Sequence, residues 1–145
     1  MRDRLKKNLD KYDAVLLTSP HNMRYFSGFS GGEGAVVITK DTAVVFTDSR
    51  YTEQAQNETS GCQVKEANDY LKSACEIFEE LSLKTVMFED DLLSAAGYKR
   101  LTELYRNCEF IFGAADINKL RMIKTPDELD KIRRAEEIGC KAFEH

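Results

Sequence analysis

Apolar positions recur along this chain in two distinct rhythms. Short runs of apolar and β-branched residues stand at Ala14–Thr18 (AVLLT), Gly34–Thr39 (GAVVIT), Thr42–Thr47 (TAVVFT), Thr85–Phe88 (TVMF) and Glu109–Phe112 (EFIF). Runs of this length, bounded by polar residues, predict buried strands. Only Lys40-Asp41 separates the second from the third, so these two are expected to form a β-hairpin, although Lys-Asp is not a favoured two-residue turn. Gly61–Glu66 (GCQVKE) alternates in polarity and predicts a weaker strand. Helical spacing marks Asp3–Tyr12 through Leu5, Leu9 and Tyr12. It also marks the stretch from Asn68, through Tyr70, Leu71, Ala74, Ile77, Phe78 and Leu81, with Asn68 or Asp69 as its cap. Ser94 opens a further helix carrying Tyr98, Leu101, Leu104 and Tyr105. Asp48–Gln56 reads as a strand end followed by a short helix. Ser19–Asn22 (SPHN) reads as a turn, and Arg24–Gly34 (RYFSGFSGGEG) as a glycine-dense loop. A hairpin followed by alternating helices and strands predicts an α/β fold: a mixed β-sheet flanked by helices, with at least one antiparallel pair.

The last thirty residues follow a different pattern. Asp116–Ile123 predicts a short helix, and Thr125-Pro126-Asp127-Glu128 is a dense start signal for another. Thr125 is the expected N-cap, Pro126 stands where a missing N–H costs nothing, and Glu128 completes a capping box. Leu129, Ile132, Ala135, Gly139, Ala142 and Phe143 then share one face, and the pattern is still amphipathic at His145. The chain reads as a fragment whose last helix turns its apolar face toward something downstream. Two segments are expected: an α/β domain over 1–115, and a linker with the start of a further domain's first helix over 116–145.

Composition narrows the function classes. With 145 residues, 42% hydrophobic and 32% charged, the chain is long enough to bury a core. It carries 21 Lys and Arg against 25 Asp and Glu, a net charge of −4. An acidic surface offers no general attraction for nucleic acid or an anionic membrane. No apolar run approaches bilayer length, and MRDRLKKNLDKYD lacks the apolar stretch of a secretory signal. A cytoplasmic location is expected, with Cys62, Cys75, Cys108 and Cys140 as reduced thiols. Their spacing contains no CxxC pair, which argues against structural zinc.

Three groups of residues invite chemistry. Gly28, Gly31, Gly32 and Gly34 suggest a phosphate loop, but neither GxxxxGK[ST] nor GxGxxG is present and the loop leads into a strand. It is read as a connection needing unusual backbone angles. Asp48 and Glu89-Asp90-Asp91 each follow a predicted strand; converging carboxylates of that kind hold Mg²⁺ in nucleases, and helix-leading or solvated acidic turns are the plainer reading. Arg24-Tyr25 and Arg50-Tyr51 are two Arg–aromatic pairs in two predicted loops that can meet at one end of the sheet. Arginine suits bidentate capture of a carboxylate, and surface arginines on snorkelling stems are the alternative. His21 is read as a loop hydrogen-bonder, and the two histidines assemble no triad.

Three blocks together resemble one family: NMRYFSGFSG (Asn22–Gly31), TDSRYTEQA (Thr47–Ala55) and LRMIKTPDELDKIRRAEEI (Leu120–Ile138). Their order and content resemble the N-terminal domain of the creatinase/prolidase/aminopeptidase P peptidases, above all bacterial Xaa-Pro aminopeptidases and dipeptidases. The resemblance implies an RNase H-like α/β domain and a parent metallopeptidase that cleaves the bond preceding proline. It also implies a homodimer, short proline-containing peptides as substrates, and this chain's own C-terminal catalytic domain as its partner. Two divalent metals, Mn or Co, are implied for that C-terminal domain, held by two Asp, one His and two Glu in motifs that do not occur in these 145 residues. This segment is then expected to carry no metal and no catalytic residue, and to serve dimerisation and active-site access. Arg24, Tyr25, Asp48, Arg50 and Tyr51 are the residues the resemblance places nearest the substrate cleft. A creatinase-like parent, a stand-alone binding or regulatory module, and a Mg²⁺-dependent nuclease using Asp48 and Glu89–Asp91 are the other expectations.

Overall fold

The computed structural model describes residues 4, 5 and 8–143. Among them six strands form one sheet: β1 (Ala14–Leu17), β2 (Ala35–Thr39), β3 (Ala43–Thr47), β4 (Gln63–Glu66), β5 (Thr85–Phe88) and β6 (Glu109–Phe112). Their order is β4-β3-β2-β1-β5-β6. β2 is antiparallel to both its neighbours, and the remaining adjacent pairs are parallel. The helices are α1 (Pro20–Ser27), α2 (Thr52–Glu58), α3 (Tyr70–Glu80), α4 (Ala95–Leu104), α5 (Ala114–Met122) and α6 (Pro126–Phe143). The chain divides into two compact units, Met1–Ala114 and Ala115–His145.

The four central strands of the first unit are almost wholly buried, and the outermost two are not. Strand alternation sends Ala14, Leu16, Ala35, Val37, Val44, Phe46, Val86 and Phe88 to one face. There they meet Ala74, Cys75, Ile77 and Phe78 of α3, with Leu101 of α4 and Tyr105 just beyond it. The Tyr105 hydroxyl reaches the edge of this layer and donates to the Leu83 carbonyl at 3.0 Å, so burying the ring leaves no orphaned polar atom. The alternate residues Val15, Leu17, Val36, Ile38 and Val45 are also buried and belong to the opposite face.

Local chemistry explains where several of these elements start. Asp69 accepts the Lys72 amide at 3.2 Å and Ser94 the Gly97 amide at 3.1 Å, capping α3 and α4. The Lys40-Asp41 turn holds because the Thr39 hydroxyl accepts the Asp41 and Thr42 amides at 3.3 and 2.9 Å, which supplies what the turn residues lack. In the second unit, Glu128 Oε2 accepts the Thr125 amide at 2.7 Å and Thr125 Oγ1 accepts the Glu128 amide at 3.2 Å, the reciprocal pair of a capping box. No residue of α6 is buried among those described, and Leu129, Ile132, Ile138 and Phe143 all stand exposed.

Two sequence expectations need correction. The stretch read as a turn and the start of a glycine loop is helix α1. Ser19 caps it by accepting the Asn22 amide at 3.3 Å, and Pro20 opens its first turn. Gly28 closes it at φ 90°, where its amide reaches the Arg24 carbonyl at 2.9 Å. Arg24 and Tyr25 therefore sit on a helix, and the true loop is the shorter stretch 28–34. Of the helix expected over Asp3–Tyr12, Arg4 and Leu5 are helical and Asn8–Asp10 form a 3-10 turn. Asp3, Lys6, Lys7 and His145 lie outside the described residues.

Candidate functional site

β1 and β3 run in the same direction, so their carboxyl ends lie on one edge of the sheet. α1 departs from the first and α2 from the second, and the 28–34 loop returns to β2 along the same edge. All five residues singled out by sequence thus stand on this edge, in two clusters set at opposite ends of α2.

The first cluster forms where β3 gives way to α2. The Asp48 carboxylate accepts the Arg50 amide at 2.9 Å through Oδ1, an Asx-type turn. Arg50 Nε lies 3.2 and 3.1 Å from the two carboxylate oxygens and Nη2 2.6 Å from Oδ2. The same Nη2 donates to Glu33 Oε2 at 2.9 Å, tying the glycine loop to the start of α2. The guanidinium carbon sits 5.4 Å from the Tyr51 ring centroid, within cation–π range. The Tyr70 hydroxyl donates to Asp48 Oδ2 at 3.5 Å. Hydrogen bonds from Arg50 hold the Asp48 carboxyl below the usual aspartate range, and the Arg50 guanidinium is correspondingly harder to deprotonate. Burial, followed by the Asp48 charge, raises the Tyr70 phenol.

The second cluster sits at the far end of α2. Glu58 accepts the Ser30 amide at 2.7 Å, the Ser30 hydroxyl at 2.8 Å and Gln54 Nε2 at 2.9 Å. These bonds lower its pKa, and the Arg24 charge adds to the effect. Arg24 is exposed on α1 and makes no ion pair among the described residues. Tyr25 is half-buried, packs edge-on to Phe26 at 4.9 Å and accepts a hydrogen bond from Arg4 Nη1 at 3.4 Å. The seven residues of α2 span about 10 Å, so the two Arg–aromatic pairs share an edge but do not close into one pocket.

Charge separates the two arginines. Arg50 faces two carboxylates, Asp48 and Glu33, so its cluster carries a surplus negative charge and the guanidinium is already engaged. Arg24 is exposed and outside every ion pair among the described residues, with Glu58 near enough to feel its charge. Glu33, Glu58 and Tyr70 join the site without any warning in the sequence, because partners 17 to 28 residues apart leave no local signal.

The acidic residues do not converge. Asp48 follows β3 and Glu89 follows β5, with β2 and β1 between them, a separation of about 14 Å at ordinary strand spacing. Glu89 is buried and its carboxylate is spent on Thr18, Ser19 and Asn22. Asp90 accepts the Ala114 amide at 2.9 Å. Among the described residues no group of three or more His, Cys, Asp or Glu can hold a metal ion, so the Mg²⁺ site expected of a nuclease has no ligand set here. None of the four cysteines forms a disulfide, and burial pushes the Cys75 thiol up to about 12 and that of Cys108 up to about 11, which favours the protonated form of both near neutral pH. His21 is exposed on α1. A cleft of about 430 Å³ lies at the opposite edge of the sheet, beside Tyr12, Lys40 and Leu83, and includes none of the predicted site residues. No helix among the described residues is long and apolar enough to cross a membrane.

The sequence profile of the Creatinase/Prolidase N-terminal domain matches residues 1–123. Peptidase YqhT of Bacillus subtilis, itself uncharacterized, is 32% identical over 134 residues, which cover 92% of this chain and 38% of that protein. The solved structure of an Xaa-Pro dipeptidase from Bacillus anthracis overlays with a TM-score of 0.90 at 33% identity, covering 99% of this chain and 41% of the other. The N-terminal domain of the cytoplasmic peptidase PepQ from Mycobacterium tuberculosis overlays with a TM-score of 0.77 at 28% identity, covering 82% and 96%. The chain spans about two fifths of the length of the first two relatives.

Proposed function

The chain belongs to the creatinase/prolidase N-terminal domain family, and on that footing we propose that it is the non-catalytic domain of a cytoplasmic Xaa-Pro peptidase, helping to assemble a homodimer and to bound its substrate cleft. The observation that carries this reading is the overlay of 99% of the chain on an Xaa-Pro dipeptidase. Hydrolysis of the bond preceding proline would fall to a C-terminal domain of the parent. The two divalent metals that the family resemblance implies for such a parent, Mn or Co, would be held by that second domain.

Within this reading the carboxyl edge of the sheet is the part that meets a peptide. Arg24 is suited to a peptide carboxylate, because its exposed guanidinium has no ion pair to break among the described residues. Asp48, Arg50 and Tyr51 form a fixed wall instead, since Arg50 is held from both sides by Asp48 and Glu33. Tyr25 packs edge-on against its neighbour Phe26 and ties α1 to Arg4 through its hydroxyl.

The test is to express the full reading frame that encodes this chain. The product, supplied with Mn²⁺ or Co²⁺, is expected to hydrolyse Xaa-Pro dipeptides or Xaa-Pro-initiated peptides and to sediment as a dimer. A folded product that leaves both peptide classes intact with either metal would return the chain to the reading of a stand-alone binding module.

A further inference from the structure

Open α/β sheets receive ligands at the carboxyl ends of adjacent parallel strands whose following connections leave in opposite directions. β1 and β5 are such a pair. From β1 the chain passes to β2 on one side, and from β5 to β6 on the other. In this protein the crevice between them is filled from within.

Glu89, the residue after β5, is 1% exposed and places its carboxylate there. Oε2 accepts the Thr18 amide at 2.5 Å and the Ser19 amide at 2.8 Å. Oε1 accepts Asn22 Nδ2 at 2.5 Å, and Asn22 is itself 3% exposed. All three donors belong to the entry or first turn of α1. A buried carboxylate is costly to desolvate and persists only where donors compensate it. Among the described residues the compensation comes from three donors around the start of one short helix, whose positive end also faces the charge. Eight residues do not make a stable helix alone, so the place of α1 depends on such anchors. Arg24 lies two residues beyond Asn22 on that helix.

We propose that Glu89 is a positioning residue: it occupies the crevice that related architectures leave for a ligand, fixes the start of α1 there, and so sets where Arg24 is presented. Its bearing on substrate rests on the reading of Arg24 given above, and the experiment separates the two. Glu89→Gln preserves size but removes the charge, so the Thr18 and Ser19 amides keep only a neutral acceptor, and Asn22 keeps a partner only by turning its side-chain amide over so that Oδ1 accepts. The paired change Asn22→Asp with Glu89→Gln moves the charge to the other side of the same contact. The side-chain amide introduced by Glu89→Gln can then donate its amino group to the new carboxylate, while its carbonyl keeps the Thr18 and Ser19 amides.

Amide hydrogen exchange across residues 20–27 reads the outcome, with 95–104 as the internal control. In the single variant, exchange in 20–27 is expected to rise by roughly tenfold or more while 95–104 is unchanged, and the double variant restores it. Unchanged exchange in 20–27, or a rise shared equally by 95–104, overturns the proposal. Should Glu89→Gln not fold, Asn22→Ala, which removes the Oε1 contact and leaves the two backbone amides on Oε2, carries the same comparison. In the full reading-frame product, Glu89→Gln is expected to raise KM for Xaa-Pro peptides with kcat retained. If exchange responds as expected and KM does not move, the positioning role stands and the substrate reading of Arg24 falls.

Discussion

Arg50 and Asp48 hold each other side-on, with Nε within 3.2 Å of both carboxylate oxygens and Nη2 2.6 Å from Oδ2. The Arg50 amide adds a further bond to Oδ1 at 2.9 Å, so side chain and backbone of one residue both serve the same acceptor. This closes the turn from β3 into α2. Because donors favour the ionised form, Asp48 titrates below the ordinary aspartate value of 3.8. A group whose pKa is depressed on folding contributes stability above its unfolded value and loses it as pH falls through the folded one. The pair is therefore expected to survive at pH 4 and to fail only in stronger acid. A carboxyl titration followed by NMR checks this. Asp48 should titrate below 3.8, and Arg50→Gln should move its midpoint upward. A midpoint indifferent to that substitution removes the guanidinium as the cause.

Ser82 ends α3 at φ 53°, in the left-handed region that side chains disfavour. The Leu83 amide returns to the Phe78 carbonyl at 2.9 Å and the Ser82 amide to Glu79 at 3.0 Å, the two bonds of a Schellman motif. Glycine is the residue suited to this position. Ser82→Gly is expected to stabilise the domain by about 0.5–1 kcal/mol, and Ser82→Val to destabilise it by more. Urea unfolding with unchanged m-values is the measurement, and a Ser82→Gly variant less stable than its parent would contradict the motif.

Gly34 presents the opposite case. It enters β2 at φ +153°, and a Cβ there would meet the Phe46 carbonyl oxygen at 2.3 Å, a backbone atom held in the β2–β3 ladder. Relief requires moving the hairpin whose register sets Ala35 opposite Phe46. Gly34→Ala is expected to cost about 2 kcal/mol or more, read as a fall in thermal midpoint. An unchanged midpoint would mean the loop can yield without disturbing the strands.

These positions show which features are legible in the sequence. Strands such as Ala14–Leu17 and Thr85–Phe88 are buried on both faces, so their apolar runs announce them. Helices α3, α4 and α6 carry their caps at Asp69, Ser94 and Thr125, and long apolar stripes follow. Helix α1 escapes such a reading because it is short, and Ser-Pro at its start reads equally as a turn. What separates the two is distant: the Thr18, Ser19 and Asn22 donors are answered by Glu89, some seventy residues later. The edge carrying Arg24 and Arg50 is legible as two Arg–aromatic pairs. The commitment of Arg50 is not, since Glu33 lies in a loop without periodicity and meets it only once the sheet is built.

The last prediction follows from that difference between the arginines. Arg24 is exposed and without an ion pair among the described residues, so Arg24→Gln is expected to leave stability within about 0.5 kcal/mol of the parent. Arg50→Gln instead strips Asp48 and Glu33 of their shared donor and loosens the entry to α2, so its effect should appear first in the thermal midpoint. On substrate the order should reverse. In the full reading-frame product, Arg24→Gln is expected to raise KM for short Xaa-Pro peptides by roughly tenfold, the scale of one lost charge-assisted hydrogen bond, with kcat little changed. Blocking the peptide's C-terminal carboxylate as an amide should raise KM of the parent enzyme by a similar factor and leave that of the variant unmoved. Equal sensitivity of parent and Arg24→Gln to that amidation would mean that Arg24 does not meet the carboxylate, and the edge would have to act on the peptide through its shape alone.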